Sequence, residues 1–236
     1  MTRRGQWWTP ARRRGVEILD DHTTPDAVRR AAMRDVARAN RWFGGARALR
    51  MAVRDALRSA PAGALLLDIG TGTGDLAVML RTEGAARNIE LRIIGSDLST
   101  ELLDEHRARF DAAVAADVTA LPFRAAAADV VTCSQLLHHF EGAEARQVIA
   151  ELHRVARGTV VVADLRRSYL AAAGFWLASL LLRFHPVTRH DGVVSVYRGF
   201  TGDELREMIR DVTGITPRVR PGAFWRVTAT WNAPSH

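Results

Sequence analysis

Short apolar runs alternate with longer amphipathic segments along most of the chain. The apolar runs predict strands near residues 64–69, 90–96, 112–117, 128–134 and 158–163, with helices in the intervals. Two further β-prone runs, residues 215–221 and 223–231, flank Gly222 and predict a closing antiparallel pair. Alternation of strand and helix is typical of a parallel sheet covered on both faces. The pattern therefore predicts an α/β, doubly wound, mostly parallel seven-stranded sheet.

Two helices are predicted before the first strand. Residues 24–26 read Thr-Pro-Asp, the order of cap, first-turn proline and first-turn acid that begins a helix. Apolar positions continue at helical spacing until Gly44 and Gly45 break the helix, and a second helix runs to Pro61. We therefore separate an N-terminal arm with helices, residues 1–61, from a core of residues 62–236.

The first core strand runs directly into a glycine-rich turn that carries acidic residues. A dinucleotide-binding turn needs Gly-x-Gly-x-x-Gly so that backbone N–H groups can meet a pyrophosphate. Here Gly70, Gly72 and Gly74 place the third glycine one residue early, and Asp75 occupies the position where it would fall. Carboxylates at Asp68 and Asp75 repel phosphate, so they favour a cationic ligand.

This turn resembles the first motif of the class I S-adenosylmethionine-dependent methyltransferases, an acid followed by Gly-x-Gly-x-Gly at the end of the first strand. The resemblance implies a Rossmann-like methyltransferase fold and S-adenosyl-L-methionine as cofactor, which has a cationic ammonium, a cationic sulfonium and no phosphate. It also implies that residues 1–61 cover the cofactor, with plain packing against the sheet as the alternative. A tight turn without a ligand is the alternative for the glycines alone.

Two more acids follow predicted strands. Asp97 ends the second strand, at about the interval after the glycines where an acid receives ribose hydroxyls in doubly wound folds. Asp117 ends the third strand and resembles the family's contact to the adenine amino group. Acids at consecutive strand ends share one edge of a parallel sheet. The residues predicted to bind the cofactor are Asp68, Gly70, Thr71, Gly72, Gly74, Asp97, Leu98, Asp117, Val118 and Ser134.

Candidate catalytic residues follow strands four and five. His138 and His139 lie in the loop after strand four, and Asp164 ends strand five. A histidine can accept the proton of an attacking hydroxyl while a carboxylate fixes its tautomer. These segments resemble natural-product sugar O-methyltransferases in which such a His and Asp form the catalytic pair. We predict His138 as the base with Asp164 behind it, and His139 as either an alternative base or a structural residue.

The chain departs from that group in two places. Residues 156–159 replace the usual Pro-Gly-Gly and predict a turn with one glycine. An insertion, residues 165–200, contains a stretch from 169 to 182 that is apolar nearly all round, so it must be buried or cover something apolar. In the family this segment walls the acceptor pocket, which implies a lipophilic acceptor. Residues 185–192 predict a polar loop. The predicted substrate-binding residues are Phe175, Trp176, His190 and Tyr197.

Composition fits a single core. The chain has 236 residues and 47% hydrophobic content, without a Pro/Gly/Ser-rich linker. Its one cysteine, Cys133, excludes an intramolecular disulfide and lies in an apolar run, which favours a buried small residue over a nucleophile. No signal-peptide series begins the sequence. We expect a cytoplasmic protein without a metal ion.

Charge raises the question of nucleic acid. The net charge is +7 with a pI near 11, and every basic side chain is arginine. The arginines are scattered without a groove-reading motif, so nucleic acid is an unlikely partner. Residues 12–14 form a local cluster near Trp7 and Trp8, which suits either peripheral membrane contact or a solvated arm. The apolar stretch of residues 169–182 is too short to span a bilayer.

These features predict an S-adenosylmethionine-dependent O-methyltransferase acting on a lipophilic phenolic or quinol-type small molecule, in natural-product biosynthesis. The alternative is C-methylation of a prenylated or alkyl quinone ring, because residues 72–77 also resemble the ubiquinone and menaquinone C-methyltransferases. A non-catalytic cofactor-binding protein is a third hypothesis. The sequence leaves the oligomeric state open.

Overall fold

The computed structural model describes residues 9–13, 15–21 and 23–233. The strands are β1 (Leu65–Ile69), β2 (Arg92–Asp97), β3 (Ala112–Ala115), β4 (Ala128–Ser134), β5 (Ala156–Leu165), β6 (Arg218–Gly222) and β7 (Arg226–Asn232). The helices are α1 (Asp26–Trp42), α2 (Gly45–Ala56), α3 (Asp75–Ala85), α4 (Thr100–Glu105), α5 (Gly142–Val155), α6 (Tyr169–Leu181), α7 (Pro186–Arg198) and α8 (Gly202–Thr213). Short 3₁₀ turns join several of these elements.

The strands form one sheet in the order β3-β2-β1-β4-β5-β7-β6. The first five are parallel, and β7 runs antiparallel to both β5 and β6. The predicted α/β, doubly wound, seven-stranded fold is confirmed. Strand order reverses between β1 and β4, and the crevice outside the carboxyl ends of strands at such a point is where open α/β sheets bind ligands.

Both faces of the sheet are buried, since successive side chains of a strand point to opposite sides. Leu67 and Val131 belong to one core cluster, which also holds side chains from α5 and α8. Leu66 and Val130 belong to the other, with side chains from α2 and α3. Helix α2 therefore packs against the sheet, while α1 lies over the edge where the glycine turn is found.

Residues 9–21, described except for residue 14, form a segment that ends in a 3₁₀ turn at Ile18–Asp20 and is here called the strap. It packs on α7 and on the loop after β4. Asp191 accepts hydrogen bonds from the backbone N–H groups of Ile18 and Leu19, at 2.9 Å each. The hydroxyl of Thr24 donates to the carbonyl of Ile18 instead of capping α1. The strap thus joins the N-terminal region to the insertion.

The prediction of a polar loop at residues 185–192 is wrong, because α7 begins at Pro186. His185 caps the helix by accepting a hydrogen bond at Nδ1 from the N–H of Val187, and Pro186 takes the first position, where its missing N–H costs nothing. The helix also gains long-range contacts to the strap, which local sequence patterns do not report.

The turn predicted at residues 156–159 is also wrong. Helix α5 ends at Val155 and β5 begins at Ala156, with a register irregularity between Ala128 and Val130. A Cβ at Gly158 would come within 2.2 Å of the Asp129 carbonyl oxygen. The glycine is needed for close strand packing and not for a turn.

The hairpin between β6 and β7 turns at residues 223–225. Gly222, predicted as the separator, is the last residue of β6 and pairs with Arg226. Phe224 and Trp225 both have positive φ, 52° and 54°, which is costly for bulky side chains. None of the described helices is long and apolar enough to cross a membrane.

Candidate active site

The glycine turn has the backbone that its sequence predicts. Gly70, Gly72 and Gly74 have φ values of 69°, 53° and 71°, a region that favours glycine. A Cβ would meet Leu136 at Gly70 and Phe110 at Gly74, but at Gly72 it would meet nothing within 4 Å. The turn is therefore tightly packed at both ends and open at its middle.

Asp68 orients this turn. Its side chain is buried, and its two oxygens accept 2.7 Å hydrogen bonds from the hydroxyls of Thr71 and Thr132. Burial raises the pKa of Asp68, and the two hydroxyls only partly oppose this. The carboxylate is committed to holding β1, β4 and the turn together.

Asp97 joins the turn to the end of β2. Its Oδ2 accepts from the N–H of Gly72 at 2.8 Å, and its Oδ1 accepts from the N–H of Ser99 at 3.0 Å. Leu98 follows with an exposed side chain. Asp117 is exposed, and Thr119 donates to it from both backbone and hydroxyl, which lowers its pKa. Val118 and Ser134, the remaining predicted cofactor residues, are buried at the ends of nearby strands.

His138 and Asp164 form a buried pair. Nδ1 of His138 lies 2.7 Å from Oδ1 of Asp164, and the backbone N–H of His138 donates to Oδ2 at 3.0 Å. Burial raises the pKa of Asp164, but the imidazole and three hydrogen bonds outweigh it and hold the pKa below its ordinary value. An ionised carboxylate only accepts hydrogen bonds, so His138 donates from Nδ1 and a neutral ring keeps Nε2 as an acceptor.

The strap brings a second carboxylate to this histidine. Oε1 of Glu17 lies 3.9 Å from Nε2 of His138 and accepts hydrogen bonds from Ser195 at 2.7 Å and Arg198 at 3.0 Å. The guanidinium of Arg198 also donates to Nδ1 of His139 at 3.3 Å. His139 thus packs beside His138, with ring centroids 4.3 Å apart, and contacts Arg198.

Glu17, His138 and His139 each offer a metal-ligand atom, and these atoms lie within 4.8 Å of one another. The guanidinium of Arg198 donates to two of the three residues, so a positive charge already sits against the group. The arrangement suits an arginine-stabilised carboxylate better than a metal centre.

A cavity of about 270 Å³ lies beside His138 and His139. Gln135 and Arg226 line it, and the sequence predicts neither. Gln135 follows β4 with a φ of 54°, donates to Asn40 of α1 and accepts from Arg226 at 2.7 Å. Burial lowers the pKa of Arg226 to about 10, against the opposing effect of Asp164. We call this space the histidine cavity.

A second cavity, of about 250 Å³, adjoins it and is called the aromatic cavity. It is lined by Phe43, Leu165, Ala171, Gly174, Phe175, Val196, Phe224, Trp225 and Arg226. Leu165, Phe175, Val196 and Arg226 line both cavities. The two spaces therefore form neighbouring compartments with a mostly apolar shared wall.

The structure brings one of the four predicted substrate-binding residues into these cavities, Phe175. Trp176 is half-exposed on α6. His190 is exposed and lies 2.8 Å from Asp191. Tyr197 packs against Ala171 and Ala172. None of these three side chains lines either cavity.

Within the basic cluster of residues 12–14, Arg12 is held in place by hydrogen bonds and a ring contact. Arg12 donates to the carbonyls of His138 at 3.1 Å and Phe140 at 2.8 Å, and its guanidinium lies 4.1 Å from the ring centroid of Phe200. Arg12 is therefore held against the loop that carries His138 and is not part of a solvated arm. Arg14, Trp7 and Trp8 lie outside the described residues.

A further cavity, of about 440 Å³, lies between α1, α4 and Thr73 and contains none of the predicted site residues. Cys133 is fully buried in β4, and burial raises its pKa well above the ordinary value. It is therefore not a nucleophile at neutral pH.

Comparison with known proteins agrees with this geometry. Residues 66–159 match the family model described as "Methyltransferase domain". The matched residues are fewer than half of the chain, and the sheet order and the glycine turn agree with the class I S-adenosylmethionine-dependent methyltransferase that the sequence predicts. S-Adenosylmethionine is accordingly its cofactor.

The individual relatives match less than half of this chain. The chain is 35% identical over 106 residues to tRNA (carboxymethyluridine(34)-5-O)-methyltransferase alkbh8 of Xenopus tropicalis, covering 44% of this chain and 16% of that protein. It is 35% identical over 112 residues to the demethylmenaquinone methyltransferase of Thermus thermophilus, covering 45% and 47%. The chain thus spans less than half the length of these two curated relatives.

A solved structure shares the fold. Magnesium protoporphyrin IX methyltransferase from Synechocystis, determined with bound SAH, has a TM-score of 0.53 at 17% sequence identity, covering 93% of this chain and 89% of that one. At this identity the likeness concerns the fold alone.

The residues at the sheet edge fit the cofactor. The turn is open at Gly72, the acid at Asp97 lies directly beside it, and a second acid at Asp117 is exposed on the next strand end. Carboxylate oxygens at these positions suit hydroxyl and ammonium groups. The exposed Leu98 offers an apolar contact to an adenine ring.

Proposed function

We propose that this chain methylates an oxygen of a lipophilic phenol or quinol, with His138 as general base. The observation that carries the proposal is the buried His138–Asp164 pair at 2.7 Å, next to a cavity that Glu17 and Phe175 also line. The bound cofactor supplies an electrophilic methyl group. Binding of the acceptor and removal of its proton are assigned to the side chains described above.

The proton inventory follows from the tautomer. Nδ1 of His138 keeps its proton and donates it in a hydrogen bond to Asp164, so Nε2 is free to accept the hydroxyl proton, and bound cofactor would supply the methyl group to that oxygen with its thioether as the leaving group. The resulting imidazolium lies between two carboxylates, Asp164 at 2.7 Å and Glu17 at 3.9 Å. Both carboxylates lie close enough to attract the positive charge that the ring gains in this step.

The acceptor class follows from the cavity walls. Phe175 separates the histidine cavity from the aromatic cavity, where Phe43 and Phe224 add further rings. An aromatic ring beside His138 with an alkyl or prenyl substituent in the aromatic cavity would bury apolar surface at about 25 cal/mol per Å². A free sugar would leave these walls without a partner.

The experiment is turnover of His138→Ala and His139→Ala on alkyl-substituted phenols and quinols. We expect His138→Ala to lower kcat by about 10² to 10⁴, the range for loss of a general base, with cofactor affinity unchanged. His139→Ala should keep kcat within a few-fold. The reverse pattern would assign the base to His139, and full activity in both variants would remove base catalysis.

C-Methylation of a quinol ring is the second candidate, supported by the 35% identity to a demethylmenaquinone methyltransferase. The same histidine would take the hydroxyl proton, and a ring carbon would receive the methyl group. That carbon would then lose its hydrogen as a proton while the oxygen is protonated again, which restores the aromatic ring. Mass and NMR spectra of the product decide between a methoxy group and a ring methyl. Cofactor binding without turnover of any acceptor would instead favour the non-catalytic hypothesis.

A further inference from the structure

Helix α6 presents an apolar face to solvent. Leu170, Leu177 and Leu181 are 64%, 55% and 76% exposed, and they recur at intervals of seven and four, which place them on one side of the helix. Its buried side consists of the small residues Ala171, Ala172 and Ser179. Apart from Phe175, which lines the two cavities, the large apolar side chains thus point outward while small ones form the buried side, the reverse of an ordinary surface helix.

The hairpin tip continues this face. Phe224 is 57% exposed and lies 6.3 Å from the ring centroid of Phe43, which in turn lies 5.8 Å from Phe175 of α6. We call Leu170, Leu177, Leu181 and Phe224 the α6 surface. Phe224 and Trp225 at this tip both have positive φ, which is strained for bulky residues. The fold therefore holds the aromatic side chain of Phe224 outward at a cost in backbone conformational energy.

Exposed arginines lie at the C-terminal end of the α6 surface. No aspartate or glutamate occurs between residues 165 and 190, and of the four arginines there Arg167 is buried in an ion pair with Glu204. Arg183 follows α6 directly and is exposed. Arg38 of α1 donates to the carbonyl of Leu182 at 3.1 Å and is exposed as well, but it also pairs with Asp35 at 3.0 Å, so Arg183 contributes most of the charge. The apolar face therefore has a cationic rim at the C-terminal end of the helix.

The aromatic cavity lies against the same elements. Gly174 of α6 is exposed and a Cβ there would meet nothing within 4 Å, while Phe224 belongs both to the α6 surface and to the cavity wall. The cavity shares four lining residues with the histidine cavity. An apolar molecule that arrives at α6 is thus next to the compartments leading to His138.

We propose that the α6 surface docks on an anionic lipid bilayer, from which the acceptor enters the aromatic cavity. A helix of 13 residues is about 20 Å long, too short to span a bilayer but suited to lie in its interface. The cationic rim favours anionic headgroups. A second copy of the chain is a poorer partner, because two such faces would bring their arginines together.

The proposal rests on the proposed function only for the lipophilic acceptor, and binding to vesicles tests it without one. The full chain is sedimented with phosphatidylcholine vesicles, with and without about 30% phosphatidylglycerol as a roughly physiological anionic fraction. We expect at least about tenfold tighter binding to the anionic vesicles, lost at high salt. Leu177→Glu combined with Leu181→Glu should weaken binding by at least about tenfold.

Val78→Glu is the matched control, since Val78 is 49% exposed on α3, away from the α6 surface. It should bind vesicles like the wild type. Thermal unfolding and cofactor titration verify that each variant is folded. Unchanged vesicle binding by the α6 variant overturns the proposal. So does a wild-type dimer that the variant converts to monomer while neither binds vesicles.

The two proposals fail separately. Methylation of a water-soluble phenol depends on His138 and needs no bilayer, so a protein that binds no vesicles can still be an O-methyltransferase. A protein that binds vesicles but retains full turnover in His138→Ala would keep the docking surface and lose the base.

Discussion

Glu17 and His138 are far apart in the sequence, yet Oε1 of Glu17 lies 3.9 Å from Nε2 of His138. The carboxylate arrives on the strap and is buried against the nitrogen proposed to take the acceptor's proton. Two opposite charges at about 4 Å interact strongly where water is excluded, and the hydrogen bond from Arg198 to the same carboxylate weakens this effect.

Glu17→Gln should therefore lower kcat by roughly tenfold, because it removes the charge that stabilises the imidazolium and keeps the side-chain shape. Steady-state kinetics on a phenolic acceptor measures this. Ser195→Ala is the control, since it removes a hydrogen bond to the same carboxylate without changing its charge. Equal losses in the two variants would show that Glu17 acts by holding the strap.

Asp164→Asn should lower kcat less than His138→Ala does, and the double variant should be no worse than His138→Ala alone. The reason is that both residues act on one proton transfer through the 2.7 Å contact. A double-mutant cycle in kcat measures the coupling. Additive losses would mean that Asp164 serves the site in another way, for example through its hydrogen bond from the backbone of His138.

Asp97→Ala should weaken S-adenosylmethionine binding by about one to two orders of magnitude, since hydrogen bonds to a charged group contribute roughly 1.5–3 kcal/mol. Isothermal titration calorimetry measures the affinity. Asp75→Ala is the matched control, because Asp75 is an acid beside the same turn whose carboxylate is paired with Arg109. Unchanged affinity in Asp97→Ala would remove Asp97 from the site.

Asp129 gives a prediction on acid stability. It accepts two 2.7 Å hydrogen bonds from Arg157 and one at 2.8 Å from the N–H of Leu65. Burial raises the pKa of Asp129, but these partners outweigh it and hold the pKa below its ordinary value. A depressed folded-state pKa stabilises the fold above the ordinary pKa, and this stabilisation is lost as the pH falls through the folded-state value.

Asp129→Asn should accordingly lower the free energy of unfolding by about 1–2 kcal/mol at pH 7, discounted because Arg157 is partly exposed, and the difference should shrink below about pH 4. Urea unfolding at several pH values measures it. Asp203→Asn, whose side chain is 91% exposed, should change little. A deficit that stays constant down to acid pH would point to lost shape and not lost charge.

The sheet edge was predictable because its information is local. Apolar runs mark β1, β2 and β4, and the residues that follow such strands of a parallel sheet meet at one edge. The same reasoning puts His138 and Asp164 at that edge, since one follows β4 and the other lies at the end of β5, and the family resemblance then suggests that they pair. The alternation also predicts seven strands, whereas their order is known only from the structure.

The acceptor side was less predictable because its contacts are long-range. Glu17 lies in a short strap without periodicity, and only the fold brings it to His138. Gln135 could have been found, since it directly follows a predicted strand end and neighbours the histidine loop. Size and aromaticity suggest Trp176 and Tyr197 as substrate contacts, but they say nothing about the side of a helix on which a residue lies.

Cys133 has a practical consequence. It is the chain's single cysteine and is fully buried in β4, so its thiol is shielded from reagents in the folded protein. A substitution such as Leu177→Cys would then create one accessible thiol in the whole native molecule. A fluorophore or nitroxide attached there would report on the polarity around α6, and the wild-type background already permits such site-specific spectroscopy.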